Sequence, residues 1–307
     1  MSVAVIVVNF GSAKLLAKNL DGERRPHGPE IVVVDNFTSE AEREELRRLA
    51  AKRRWHLVEL DANQGFGAAT NAGVERAKEL TCDVFVLLNP DAWILVEDFR
   101  NLIHAHSLNP HAIIAPRILK PDGTEWFSGG EFSPHSGVAR HQLSLSLEPS
   151  NWLTAACLLI PRDAWETLEG FDEDYFLYWE DVDLTHRWAS LGGALEVALE
   201  ATAWHSVGGT QSSDHSKSNA YFFYNCRNRL RFATKNLRMK EALIWLITSP
   251  MYVLEVARRG GLRRARFKAP AALLSALAGT ASGSVFLISG IATRTFTRDR
   301  QGRRQLE

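Results

Sequence analysis

The sequence is poor in cysteine. Cys82, Cys157 and Cys226 are its only three in 307 residues, an odd number set far apart, with no C-x-x-C pair. That spacing excludes a zinc ribbon or dithiol redox centre and suits a reducing compartment. Net charge is also missing, because 36 Lys and Arg balance 36 Asp and Glu. A uniformly basic nucleic-acid binder is not expected from such a chain. No G-x-G-x-x-G follows the first apolar run, where Gly11 stands alone, and no G-x-x-x-x-G-K-[ST] occurs. A dinucleotide-dependent oxidoreductase and a P-loop enzyme are set aside on that ground. The N-terminal MSVAVIVVNF has neither a basic region nor a cleavage site and reads as a strand, so no signal peptide is expected. No internal repeat or low-complexity tract is present.

What is there is globular: 45% hydrophobic and 23% charged residues, with length for one large domain or two ordinary ones. The zero charge hides an asymmetry. Residues 1–216 hold 18 Lys/Arg against 32 Asp/Glu, a net of −14, while residues 217–307 hold 18 against 4, a net of +14. The reading is therefore a domain over 1–216 and a basic helical region over 217–307 that seeks an anionic partner.

Short apolar, β-branched runs at 3–8, 31–34 and 84–88 suit strands buried on both faces. Helical patterns at 13–20, 40–53 and 67–80 and a further strand at 55–60 alternate with them. The first ~115 residues thus read as an open, mostly parallel α/β sheet flanked by helices. Residues 117–150 read as a long loop with a hairpin, 152–160 as a buried strand, 180–191 as a helix and 194–203 as another strand.

Ligands of such sheets sit at the carboxyl ends of the strands. There the chain places Asn9-Phe10-Gly11-Ser12, Asp35-Asn36, Asn63-Gln64-Gly65-Phe66-Gly67 and Asn89-Pro90-Asp91. Each alone is ordinary turn chemistry; four on one edge point to a polar ligand pocket. Asp35 suits the imide N–H of uracil or thymine, or a ribose hydroxyl, and equally a turn cap. Glu180-Asp181-Val182-Asp183, with Asp172, Glu173 and Asp174 upstream, is an acidic cluster opening a helix. It complements the helix dipole, or it forms a general base, since crowded carboxylates raise one another's pKa. Asp183 points elsewhere on the helix and reads as structural.

VVNFGS, VVVDN, NQGFGAATNAG, LLNPDA and FLYWEDVDLTHRW, in that order over residues 3–210, resemble family 2 of the inverting, nucleotide-sugar-dependent glycosyltransferases, and among them the bacterial rhamnosyltransferases. The resemblance implies a GT-A type fold carrying a helical basic C-terminal extension. It also implies a dTDP- or UDP-sugar donor held by Asn9, Phe10, Asp35, Asn63, Gly65, Phe66, Asn71 and Asn89, with Trp152, Thr154 and Ala155 under the sugar. It implies Asp91 and His205 as ligands of a divalent cation, Mg²⁺ or Mn²⁺, and Asp181 as the base, with Glu180 orienting the acceptor or the metal shell. The family's D-x-D begins here with Asn89, a departure that keeps a catalytically silent sugar-binding module in view. By the same resemblance the donor is dTDP-rhamnose, or UDP-galactofuranose or a UDP-hexose, and the acceptor a cell-envelope glycan or polyprenyl-diphosphate sugar.

The basic region holds apolar stretches at 242–257 and 269–292, with Arg258, Arg259, Arg263, Arg264, Arg266 and Lys268 between them. It suits an anionic membrane surface or a homodimer contact. Residues 269–292 lack charge and are long enough to span, but their Gly, Ser and Ala content reads as helices packed on the domain or lying at an interface. The expected location is cytoplasmic, peripheral on the inner face of the cell membrane.

Overall fold

The computed structural model describes residues 1–20, 28–133, 137–142, 150–206, 217–260 and 269–304, the last with side chains over 270–290. Arg263, Arg264, Arg266 and Lys268 lie outside the described residues. The chain divides into two compact units, Met1–Phe132 with Ala139–Ser213, and Ser133–Val138 with Asp214–Glu307.

In the first unit β1 (Val3–Asn9), β2 (Glu30–Asp35), β3 (His56–Glu59) and β4 (Val84–Leu88) alternate with α1 (Ala13–Asn19), α2 (Glu40–Arg53) and α3 (Phe66–Glu79). The four strands are parallel in the order β3-β2-β1-β4. Ala4–Val8, Val32–Val34 and Val84–Leu88 are buried, as both-face coverage by helices demands of such apolar runs. Ser39 caps α2 by accepting from Glu42 N at 3.3 Å.

The chain continues through β5 (Ala92–Ile94), α4 (Val96–Leu108), β6 (Ile113–Leu119), β7 (Glu125–Phe127), β8 (Gly130–Ser133), β9 (Val138–His141), β10 (Cys157–Pro161), α5 (Arg162–Leu168), α6 (Glu180–Ser190) and β11 (Leu195–His205). β10 lies antiparallel between β4 and β6, β6 runs parallel to β11, and β11 is antiparallel to β5. The open, helix-flanked α/β sheet expected from the sequence is the one formed. The strand expected over 152–160 is shorter: only 157–161 joins the sheet, and residues 152–156 turn past its edge. The stretch 117–150, read as a loop with a hairpin, contributes the end of β6, then β7 and the β8–β9 pair. Short strands with few alternating residues leave little periodic signal.

This topology gathers one edge. Asn9 and Asp35 are register partners at the ends of β1 and β2. Because β10 is antiparallel, its first residue, Cys157, pairs with Leu88 at the end of β4. His205, the last residue of β11, pairs with Ala92 beside Asp91.

The second unit is helical: α7 (Asn219–Asn236), α8 (Met239–Ile247), α9 (Ser249–Arg259) and α10 (Ala269–Arg304). Arg229 is buried at its centre, donating to Gly137 O at 3.0 Å and Trp245 O at 2.8 Å. Its guanidinium also stands over the rings of Trp245 and Tyr252. Carbonyl oxygens and π faces replace part of the lost hydration of that charge, and burial lowers its pKa to about 10.

Candidate active site

Asp35 is fully buried at the end of β2. Its Oδ2 accepts from Arg43 Nε at 2.6 Å, and the same guanidinium also donates to Leu60 O. Its Oδ1 has no partner. Beside it Asn9 is equally buried, with Oδ1 accepting from Ser12 N at 3.0 Å and Nδ2 unpartnered. An acceptor and a donor thus stand side by side with hydrogen-bonding capacity to spare, which buried groups rarely keep. Phe10, next along, is half exposed.

Asn36 knits the neighbouring loop. It donates to Asn63 Oδ1 at 3.0 Å and Gly65 O at 3.2 Å, and accepts from Gln64 N at 2.8 Å. Asn63 Oδ1 in turn accepts from Gly65 N at 2.9 Å. Gly65 has φ +88°, and a Cβ there would stand 2.3 Å from Phe176 O. Only glycine fits, and Phe66 N then donates to that same carbonyl at 2.7 Å. The loop at 63–66 is thereby fastened to the segment leading into α6. Asn71 serves the same join rather than facing the strand ends. Its amide donates to Phe171 O at 2.9 Å and Glu173 Oε1 at 3.0 Å, and accepts from Phe171 N.

At the end of β4, Asp91 and His205 are both buried, with Oδ1 and Nε2 3.0 Å apart. Neighbouring ligands of one cation, bound at about 2.1–2.2 Å and at right angles, stand about 3.0 Å apart. The pair therefore fits a shared divalent ion as well as it fits a hydrogen bond. His205 Nδ1 is buried without a partner, and the ring packs edge-on against Trp126 at 4.5 Å. A carboxylate with an imidazole suits Mn²⁺ or a similar ion. No group of three or more His, Cys, Asp or Glu gathers among the described residues, so the remaining ligands would be oxygens of a diphosphate and water.

Three non-glycine residues with positive φ, Phe176 (+60°), Tyr178 (+66°) and Trp179 (+75°), precede α6. Such backbone costs about 1–3 kcal/mol per residue and collects at functional sites. It delivers Glu180 and Asp181 at the first turn of α6. Asp181 Oδ2 accepts from Ala155 N at 3.3 Å. Burial pushes its carboxyl up to about 6 against the hydrogen bonds from Ala155, Val182 and Thr154 that hold it down. Burial, then the adjacent Asp181 charge, pushes Glu180 up to about 8. Glu180 Oε2 has no partner. Asp183 is the contrast, buried between Tyr175 OH at 3.0 Å and Arg187 Nε at 2.7 Å, a structural ion pair.

The turn at 154–156 joins these parts. Asn89 N donates to Ala156 O at 3.0 Å, one residue from the amide that holds Asp181. Thr154 and Ala155 are buried there. Trp152 is buried against Phe127 and His141, its Nε1 unpartnered. Arg43 and Trp126 are the residues that sequence reasoning did not single out. Arg43 sits in a run of charges that resembles any solvated helix face, and Trp126 in a stretch without periodicity.

Residues 4–150 match the family model of Glycosyl transferase family 2. The chain is 29% identical over 197 residues to the low-salt glycan biosynthesis hexosyltransferase Agl10 of Haloferax volcanii, covering 60% of this chain and 61% of that one. It is 31% identical over 174 residues to the N-acetylglucosaminyl-diphospho-decaprenol L-rhamnosyltransferase of Mycobacterium tuberculosis, covering 47% of this chain and 57% of the relative. The matches thus span about three fifths of the length of these curated relatives. In fold, the chain is similar to the mannosyltransferase PcManGT from Pyrobaculum calidifontis, solved with GDP-Man and Mn²⁺. That likeness has a TM-score of 0.54 at 17% identity and covers 97% of this chain and 82% of the other.

Proposed function

We propose that the protein is an inverting glycosyltransferase that moves L-rhamnose from dTDP-rhamnose onto a hydroxyl of a cell-envelope glycan or a polyprenyl-diphosphate-linked acceptor, a reading supported by the match of residues 4–150 to the glycosyl transferase family 2 model. The observation that carries this reading is the turn at 154–156, which receives the Asp91 strand end through Asn89 and holds Asp181 through Ala155.

Asp35 Oδ1 and Asn9 Nδ2 take the base or ribose of the donor. Asp91 and His205 hold a divalent cation that, when bound, offsets charge on the departing diphosphate. Asp181 removes the proton of the acceptor hydroxyl, whose oxygen attacks the anomeric carbon. The bond from that carbon to the diphosphate oxygen breaks, the diphosphate leaves with the electron pair from the opposite face, and configuration inverts. Glu180, protonated at neutral pH by its burial, orients the acceptor.

Rhamnose rests on the Mycobacterium relative and on the motif order; the Haloferax relative, a hexosyltransferase, favours a UDP-hexose as the alternative. A donor panel of dTDP-rhamnose, UDP-glucose and UDP-galactofuranose with Mn²⁺ decides. The expected result is nucleotide release from dTDP-rhamnose at least tenfold above the others, equivalent to about 1.4 kcal/mol of discrimination. Faster turnover of a UDP-sugar moves the assignment to that donor, and turnover of none removes the enzyme reading.

The helical unit docks on the cytoplasmic face of an anionic membrane. Ile247 on α8 and Met251 and Leu254 on α9 are 77%, 72% and 69% exposed, in a region, 217–307, whose 18 Lys and Arg against 4 Asp and Glu give it a net charge of +14. The triple variant Ile247→Glu, Met251→Glu, Leu254→Glu should lose co-flotation with phosphatidylglycerol vesicles. Unchanged flotation rejects this face, and vesicle-independent self-association that the variant abolishes assigns it to a homodimer instead.

A further inference from the structure

α7 carries a cationic stripe. Arg227, Arg231 and Lys235 follow one another at four-residue spacing and so share a face. α10 crosses this helix at backbone distance. A Cβ on Gly279 would stand 2.1 Å from Phe223 O, and one on Gly283 would stand 2.7 Å from Arg227 O. No larger residue fits at either crossing point. Beside this contact lies a hollow of about 280 Å³, lined among the described residues by Arg227, Arg231, Ser282, Phe286 and Ser289 with Gly283 and Val285. The Arg231 guanidinium carbon stands over the Phe286 ring, 4.2 Å from its centroid, and both residues line the hollow. Ser282 and Ser289, two turns apart on α10, line the same space.

A second feature adjoins the first. Leu274, Leu277, Val285 and Ile288 of α10 are 67%, 50%, 66% and 57% exposed, and their spacing puts them on one face, away from the buried Ala272, Ala276 and Leu287. Pro270–Gly290 has a mean hydropathy of 1.8 with 28% of its apolar window buried. A small soluble anion has no use for that stripe, and a bilayer surface has no use for a hollow with two guanidiniums and two hydroxyls. A ligand with an anionic head and a long apolar chain uses both.

We propose that the groove between α7 and α10 binds the diphosphate of a long-chain isoprenoid lipid. Arg227 and Arg231 hold phosphate oxygens, Ser282 and Ser289 donate to them, and the chain runs along the exposed stripe of α10. Guanidiniums match phosphate in bidentate geometry, with more strength than neutral donors. The proposal rests on the acceptor class of the function above and gives it a place in the chain.

The test is flotation of the full chain with phosphatidylcholine vesicles carrying either undecaprenyl diphosphate or phosphatidylglycerol at equal charge, with inorganic diphosphate as a soluble competitor. The expected result is half-maximal binding to the diphosphate-lipid vesicles at roughly tenfold less lipid, the scale of one lost charge-assisted contact. Arg227→Gln with Arg231→Gln should erase that margin and leave phosphatidylcholine binding as it was. Ser282→Leu, which keeps both arginines and fills the hollow, should erase it too. Equal binding to the two vesicle types, or a margin that survives both variants, overturns the proposal. So does inorganic diphosphate binding as tightly as the lipid, which makes the hollow a site for free diphosphate. Absent donor hydrolysis in the parent, with the lipid margin intact, sinks the transferase reading alone.

Discussion

Asp181→Asn should lower the single-turnover rate of sugar transfer by about 10²- to 10⁴-fold, the range for loss of a general base, while nucleotide binding at Asp35 persists. The amide keeps the shape of the carboxylate and loses its proton affinity. Burial raises Asp181 to about 6, so the parent enzyme should show an acid limb near that pH. The sign is fixed by the role: below the limb Asp181 carries a proton and cannot take another, and above it the rate reaches a plateau. Glu180 has the greater proton affinity, pushed up to about 8. The pair therefore titrates in two linked steps and holds one negative charge between them. Glu180→Gln mimics its protonated state and should keep the acid limb while removing any change in rate above it. Near-parental transfer by Asp181→Asn, with the acid limb intact, would reject Asp181 as the base.

Asp91→Asn should lower metal-dependent donor turnover by about a hundredfold or more and raise the Mn²⁺ concentration needed for half-activation. His205→Ala should act in the same direction. On the proposed function both groups address one ion, so the double variant should be little worse than Asp91→Asn alone, a non-additivity expected of residues that work as a unit. Titration of Mn²⁺ into protein with bound nucleoside diphosphate, followed by electron paramagnetic resonance, reads the site without turnover. A different result follows if the 3.0 Å contact between Asp91 and His205 is only a structural hydrogen bond. The variants then lose thermal stability, and the Mn²⁺ binding curve does not move.

The strand and helix pattern of the first unit was legible because it is local. Residues 3–8, 31–34 and 84–88 are runs of β-branched and other apolar side chains, and such runs make sense only with both faces covered. The polar residues Asn9, Asp35 and Asp91 were legible as lying at or just past the strand ends for the same reason: polar groups beside such runs mark where the buried strand stops. Asn71 shows the limit. Its amide secures the segment before α6, a join to residues a hundred positions away that NQGFGAATNAG does not announce.

The sequence by itself determined β1 to β4, the helices that alternate with them, and which polar residues would lie at those strand ends, because neighbours within about four positions set periodicity and turn chemistry. Only the tertiary structure decided which of those residues meet. Asp91 reaches His205 across 114 positions and Asp181 reaches Ala155 across 26. The first contact depends on β11 running antiparallel beside β5, and the second on the turn that leads into β10, which runs antiparallel beside β4, orderings no local pattern encodes. The raised proton affinities of Glu180 and Asp181 belong to the same class: enclosure creates them, by removing water from charges the chain alone leaves solvated.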